Sequence, residues 1–152
     1  MMDVENVKPF VSAFETVMPQ LGFTTVVAKE VTQSTHLELD GVIIIVGLVG
    51  SVKGCVVYCM DLESAKRIVS VMMMGMPVTQ IDEMAQSALS ELTNMLTANA
   101  ATVYTQNGEV VDISTPTLFQ GDHVGIKMVT DEIIHIPIEV DGISIAVRVA
   151  IA

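Results

Sequence analysis

The sequence GVIIIVGLVGSVKGCVVYCM, residues 41–60, predicts two consecutive β-strands. Its first part, Gly41 to Val52, is rich in β-branched residues and is interrupted by glycine. This apolar run is shorter than the ~20 residues that a membrane-spanning helix needs, so we interpret it as a buried strand. The turn GSVKG, residues 50–54, then leads into a second strand from Gly54 to Met60.

The residues before this stretch predict one helix and a set of strands. Apolar side chains recur at helical spacing from Val4 to Met18. Strands are predicted at Phe23 to Val31, at Thr35 to Leu39 and at Val42 to Val49. The pair Asp40-Gly41 between the last two strands is typical of a type I′ turn, so we predict a β-hairpin there.

The residues after it predict two more helices and further strands. Asp61 is a suitable N-cap for a helix that ends near Met74, and a long helix is predicted from about Asp82 to Tyr104. The strands that follow are Val110 to Phe119, Gly125 to Val129, Glu132 to Val140 and Ile143 to Ile151. Pro137 cannot donate a ladder hydrogen bond, so it indicates a sheet edge or a bulge.

This pattern favours an α/β fold of the α+β type, in which long helices pack on an antiparallel sheet. The last strand alternates large apolar residues with mostly small ones, so helices can cover both of its faces. That strand is compatible with pairing to a second subunit or with a central place in one sheet. The segments LELDGVIIIV (37–46) and IEVDGISIAV (138–147) are alike, which indicates either a degenerate duplication of a helix-plus-strands half or a chance similarity of two Asp-Gly hairpins.

Length and charge restrict the classes of function. A chain of 152 residues, 51% of them hydrophobic, can form one domain over residues 1–152 and bury about two thirds of its unfolded surface. Eighteen acidic and seven basic residues give a net charge of −11, which repels nucleic acids and anionic membrane surfaces. The N-terminal MMDVENVKPF is acidic where an export signal carries positive charge, so we expect a cytoplasmic protein without a nucleic-acid or membrane partner.

Several other kinds of site find no support in the sequence. Cys55 and Cys59 would stand ~13 Å apart on a strand, too far for a disulfide, so reduced thiols are expected. The histidines show no metal-ligand spacing among themselves or with the cysteines. Lys53 is followed by glycine rather than serine or threonine, which argues against a phosphate loop. No Ser/His/Asp or Cys/His arrangement is readable, which argues against a self-contained hydrolase.

The predicted long helix carries polar residues away from its apolar side. Its apolar stripe consists of Ile81, Met84, Ala85, Ala88, Leu89, Leu92, Met95, Leu96 and Val103. Ser87, Glu91 and Asn94 lie together on adjacent turns outside that stripe, among small residues. They form a low platform that another surface can approach. The alternative is an ordinary solvated helix face, where glutamate and asparagine are common.

Ser87-x3-Glu91-x2-Asn94 followed by Pro116 resembles the signature of the CheC/CheX/FliY family, phosphatases that act on the phosphorylated chemotaxis response regulator CheY. The gap of 21 residues between Asn94 and Pro116 is one residue shorter than in the family pattern. The resemblance implies the family's fold, a homodimer, and hydrolysis of an aspartyl phosphate that sits on the partner protein.

Members of the CheC kind carry this motif on two related helices. The corresponding residues of the first helix here are Val11-x3-Glu15-x2-Met18, in which methionine replaces asparagine. The resemblance therefore implies one site, as in CheX-like members, and Glu15 is interpreted as a surface carboxylate.

The resemblance also implies roles for the motif residues. The partner supplies Mg²⁺ and a lysine, so no cofactor of this chain's own is expected. Asn94 can donate to and accept from water without bringing negative charge near phosphate, so it is the candidate that positions the attacking water. Glu91 is implied to contact the partner's lysine. Ser87 is a candidate neighbour of the site, or equally a small residue that only fills the helix.

Two functions of other classes stay open on the sequence alone. One is a dimeric binding module that docks on a receiver domain or a flagellar component without hydrolysing anything. The other is a small-molecule sensor that uses the methionine-rich core near the MMMGM run, residues 72–76.

Overall fold

Helices and strands follow one another along the chain much as the sequence predicts. A computed structural model describes residues 4–35, 37–128, 130 and 132–152 of the protein. Within these residues the α-helices are α1 (Lys8–Val17), α2 (Leu62–Met72) and α3 (Glu83–Gln106), and short 3-10 turns flank α1 at Val4–Val7 and Met18–Leu21. The strands are β1 (Val26–Ala28), β2 (Thr32–Ser34), β3 (Glu38–Gly50), β4 (Gly54–Met60), β5 (Val111–Ile113), β6 (Thr117–Gly125), β7 (Ile133–Val140) and β8 (Ile143–Ile151).

The two strands of the apolar run, β3 and β4, lie at the middle of an antiparallel sheet. The strand order is β1-β7-β8-β4-β3-β5, with β2 also paired to β7 and β6 also paired to β3. Ile44 and Val46 of β3 are fully buried. The predicted strand pair, the turn between them and the antiparallel α+β fold class are confirmed. Because β8 lies between β7 and β4, it occupies a central place and has no free edge for a second subunit.

The helices pack on one face of the sheet. Buried side chains of all three, including Phe14, Ile68 and Leu89, share one core cluster with the strand residues that point the same way. The residues of the smaller cluster on the opposite face are Leu37, Leu39, Ile43, Val57, Cys59, Met128, Ile133 and Ala150. Because none of these belongs to a helix, the expectation that helices cover both faces is wrong for the described part of the chain.

The first Asp-Gly pair does not form the predicted hairpin. β3 continues through Asp40 and Gly41, and its pairing with β6 shifts register between Leu39 and Gly41, as in a β-bulge. Gly41 has a φ of 103°, and a Cβ atom there would lie 2.4 Å from the carbonyl oxygen of Met60. The glycine that suggested a turn is therefore needed for a bulge inside one long strand.

The second Asp-Gly pair does form a two-residue turn, between β7 and β8. Asp141 and Gly142 have φ values of 50° and 79°, as a type I′ turn requires. Oδ1 of Asp141 accepts hydrogen bonds from the backbone amides of Thr25, at 2.7 Å, and Thr24, at 3.0 Å. These bonds hold the pKa of the Asp141 carboxyl below its usual value, Thr25 contributing most. The two similar segments thus have different local structures.

Replacing Asp141 with asparagine is expected to lower the melting temperature at pH 7 by about 2–5 °C. Asparagine tolerates the positive φ but loses the charge that accepts the two amides. Since the folded-state pKa is depressed, the carboxylate's contribution is present above pH 3.8 and disappears as pH falls through the folded-state value. The difference between variant and wild type in thermal melts should therefore close in acid. Asp112→Asn, at an exposed aspartate without a partner among the described residues, is the matched control.

The strand predicted from Val110 to Phe119 is in fact two strands. β5 and β6 both pair with β3, but residues 114–116 between them leave the ladder. Pro116 has no amide hydrogen to donate there. The strand predicted from Gly125 to Val129 is also wrong, because β6 ends at Gly125; Val129 lies outside the described residues.

Pro137 occupies neither an edge strand nor a bulge of β7. Its carbonyl oxygen accepts a hydrogen bond from the amide of Lys29 at 2.8 Å, just after β1 ends. β7 pairs with β1 through Ile138 and with β2 through His135, so Pro137 faces the break between these two short strands. The irregularity that the proline predicted is in the neighbouring segment.

Candidate active site

Helix α3 is held against the sheet by a capped start and a buried side. Asp82 Oδ1 accepts a hydrogen bond from the amide of Ala85 at 2.9 Å, which caps the first turn. Further along, the hydroxyl of Thr97 lies 2.8 Å from the hydroxyl of fully buried Tyr58 on β4. The contact with Tyr58 places the Thr97 side of α3 against the sheet.

The buried side of α3 is rotated slightly from the predicted stripe. Thr93 and Thr97 are almost completely buried. Burial of their hydroxyls is tolerated because these donate to the carbonyls of Leu89 and Thr93, respectively, one turn earlier. Met84, which the stripe includes, is instead 65% exposed. Hydrophobicity alone could not identify these threonines as core residues.

The motif residues lie together in one shallow cleft of about 470 Å³. Ser87 and Glu91 are exposed on α3, and Asn94 is half-buried beside them. The residues that line the cleft are Ser87, Ser90, Glu91, Asn94, Ile113, Ser114, Thr115 and Pro116. Pro116 thus reaches the same cleft despite the shorter gap in sequence. We call this hollow the motif cleft.

Residues 113–116 form the side of the motif cleft opposite α3, and Ser114 binds this segment to β3 of the sheet. Its Oγ accepts a hydrogen bond from the amide of Gly47 at 2.7 Å, and its own amide donates to the carbonyl of Gly47 at 2.9 Å. A Cβ atom on Gly47 would lie 3.1 Å from Ser114 Oγ, so the glycine permits this close approach. Sequence reasoning missed Ser114, since its partner is 67 residues away.

Ser114→Ala is expected to lower the free energy of unfolding by about 1 kcal/mol, the usual net contribution of one such hydrogen bond. Urea denaturation monitored by circular dichroism measures this difference. Thr115→Ala is the control, since that hydroxyl in the same loop has no partner among the described residues. Equal stability of the two variants would show that the bond between Ser114 and Gly47 does not hold the loop.

Glu91 and Asn94 keep their polar groups available. Within the part of the chain that the structure describes, neither side chain has a hydrogen-bond or ion-pair partner. The cleft lining contains no lysine or arginine, so this chain supplies no cation to a phosphate there. One helical turn separates the two side chains, a rise of ~4.5 Å, so they can contact two neighbouring groups of one visiting surface.

The corresponding positions of α1 do not make a second site of this kind. Glu15 is exposed, but Met18, at the position that corresponds to Asn94, is fully buried in the main core. Val11 is half-buried where α3 has Ser87. On α1 the carboxylate therefore stands without a neighbouring carboxamide.

Other potential sites lie away from the motif cleft. Cys55 and Cys59 on β4 are free thiols, as predicted. His123 contacts Glu38 at 2.9 Å, and this hydrogen bond, with nearby Asp40, raises the pKa of the exposed imidazole. Among the described residues no cluster of three metal-binding side chains occurs, and none of their helices is long and apolar enough to cross a membrane.

Comparison with known proteins identifies the family. Residues 42–139 match the family model described as chemotaxis phosphatase CheX. The CheY-P phosphatase CheX of Thermotoga maritima is 35% identical over 128 residues, which cover 83% of this chain and 82% of the relative.

The chain belongs to the CheX family. Solved structures agree with this assignment. A chemotaxis protein CheX from Desulfovibrio desulfuricans superposes with a TM-score of 0.85 at 24% identity, covering 98% of this chain and 100% of that one, which shows the same fold. A CheX from Borrelia burgdorferi, in a complex with CheY, BeF₃ and Mg²⁺, has a TM-score of 0.81 at 27% identity, covering 98% and 99%. The predicted family and the prediction of a phosphatase are confirmed for this CheX-family chain.

Proposed function

We propose that this protein hydrolyses the aspartyl phosphate of a CheY-type response regulator by inserting the Glu91 and Asn94 face of α3 into the regulator's active site. The observation that carries this proposal is the pair of unpartnered side chains in the open motif cleft. The Thermotoga relative is named a CheY-P phosphatase, and the Borrelia relative was crystallised with CheY. Both facts support the same partner here.

Asn94 has the role of positioning water. Hydrolysis forms a bond between the water oxygen and phosphorus and breaks the bond from phosphorus to the aspartate oxygen, leaving a carboxylate and inorganic phosphate. This loose transition state needs little covalent help and depends on a water held in line with the breaking bond. A neutral carboxamide can both accept from and donate to that water without repelling the phosphoryl group.

Glu91 has the role of anchoring the complex. A carboxylate aimed at phosphate would repel it. The family resemblance implies that Glu91 pairs instead with the regulator's active-site lysine. Mg²⁺ and that lysine belong to the regulator, and this chain contributes no cofactor. Ser87 borders the pair in the same cleft as a neighbour of the site.

We also propose that the protein is a homodimer with one domain per chain, residues 1–152, acting in the cytoplasm. The family resemblance supports the dimer. Since β8 is central, the dimer does not form through that strand.

The deciding experiment measures phosphate release from a CheY-type response regulator charged with acetyl phosphate and Mg²⁺, with and without this protein. We expect release to accelerate in proportion to added protein. Binding of the regulator without acceleration would favour the non-catalytic docking module instead. A thermal shift with a small molecule, and no effect on the regulator, would favour the sensor.

A further inference from the structure

A second groove continues the motif cleft along α3. It has a volume of about 310 Å³, and α3 and β5 form its two sides. The residues that line it are Ala98, Ala101, Thr102, Thr105, Val111, Asp112 and Ile113. Ile113 also lines the motif cleft, so the two hollows lie end to end. We call the second hollow the α3–β5 groove.

The α3 side of the α3–β5 groove consists of small side chains, and its threonine hydroxyls already donate hydrogen bonds within the helix. Thr102 and Thr105 each donate to a carbonyl one turn earlier, Ala98 and Ala101 respectively, at 3.0 Å. The methyl groups of Thr102 and Thr105 and the exposed Ala98 are therefore the surface that a docking protein contacts, whereas Ala101 is buried. Side chains this small let another protein's surface approach the helix closely. Asp112 is the one charged residue in the lining.

The motif cleft alone is too small to hold a protein partner. Even transient complexes bury several hundred Å² on each partner. Eight residues line the motif cleft, fewer than the roughly 20–30 that a standard interface uses on each side. A regulator docked on Glu91 and Asn94 must therefore contact additional surface, and the α3–β5 groove adjoins the cleft along the same helix.

We propose that the α3–β5 groove receives a second segment of the same response regulator and selects which regulator is the substrate. This proposal rests on the proposed function. Small or apolar side chains of the regulator fill the groove, and a basic side chain at its rim pairs with Asp112. A second copy of this chain is not the occupant, because a copy seated there would contact Ile113 and obstruct the adjoining motif cleft.

The test fills the groove without touching the motif. Ala98 is exposed, so Ala98→Arg adds bulk and positive charge without burying either. With the phosphorylated regulator as substrate, we expect KM to rise about tenfold or more while kcat stays within about twofold of wild type. Asp112→Lys should also raise KM, with a smaller effect at high salt. Ala28→Arg is the matched control and should behave as wild type. Ala28 is an exposed alanine on β1, which lies at the opposite end of the strand order from β5.

Two results would overturn the inference. One is a KM unchanged in both groove variants. The other is a change of oligomeric state in Ala98→Arg on sedimentation velocity, which would assign the groove to a second copy. If wild-type protein binds the regulator without hydrolysing it, the proposed function fails, but the loss of affinity in Ala98→Arg, measured by titration, still decides the role of the groove.

Discussion

Asn94→Ala is expected to lower kcat for the phosphorylated regulator by roughly 10²-fold or more, with little change in KM. On the proposed mechanism the carboxamide acts only when water must be held in line with the breaking bond, so its loss raises the barrier without weakening the docked complex. Asn94 is half-buried and has no partner among the described residues, so the substitution removes no internal hydrogen bond. Steady-state phosphate release against regulator concentration separates kcat from KM.

Two further variants sharpen this measurement. Asn94→Asp keeps the shape but places a negative charge near phosphate, so it should be at least as inactive as the alanine variant. Asn99→Ala removes an asparagine from the same helix but outside the motif cleft, and should keep wild-type turnover. A kcat for Asn94→Ala within about twofold of wild type would eliminate the water-positioning role.

Glu91→Ala is expected to act mainly on binding, raising KM by roughly 10- to 100-fold. If Glu91 pairs with the regulator's lysine as proposed, removing it leaves that lysine unpaired in the docked complex, which is the larger part of the cost. Glu91→Gln should be nearly as impaired as the alanine variant, because it keeps the shape and loses only the charge. Increasing salt should reduce the difference from wild type, since it screens the pair that the variants lack.

Glu15→Gln is the matched control for this charge. Glu15 is an exposed glutamate on α1, at the position that corresponds to Glu91, but without a neighbouring carboxamide. It should leave both KM and kcat unchanged. Wild-type affinity in Glu91→Gln would instead show that the carboxylate charge makes no contact with the regulator.

Local signals in the sequence were enough to predict the central elements of the fold. The β-branched run and its glycine turn predicted β3 and β4, and the capping aspartates Asp61 and Asp82 marked the starts of α2 and α3. The two Asp-Gly pairs could not be distinguished, because the outcome depends on distant partners. β6 pairs across Gly41, whereas the amides of Thr24 and Thr25 bind Asp141.

Apart from Pro116, which the family signature includes, the candidate site was predictable only on its helical side. Helical spacing alone placed Glu91 and Asn94 on one face, and the structure brings them into one cleft with Pro116. The opposite wall could not be inferred, since it depends on the backbone of Gly47 accepting and donating to Ser114. The hydrogen bonds of the threonine hydroxyls in the α3–β5 groove could not be predicted either, because the sequence does not show which acceptor a threonine hydroxyl binds.

A hollow with one carboxylate and no cation has a consequence for selectivity. Free inorganic phosphate and ordinary phosphate esters find no cation in this lining and one carboxylate that repels them, so neither accumulated product nor unrelated metabolites should compete for the enzyme. On the proposed mechanism, only a phosphoryl group whose charge is neutralised by the regulator's own metal and lysine is accommodated there. On that mechanism, the lack of a cation in the cleft confines this phosphatase to phosphorylated regulators that bring their own metal and lysine.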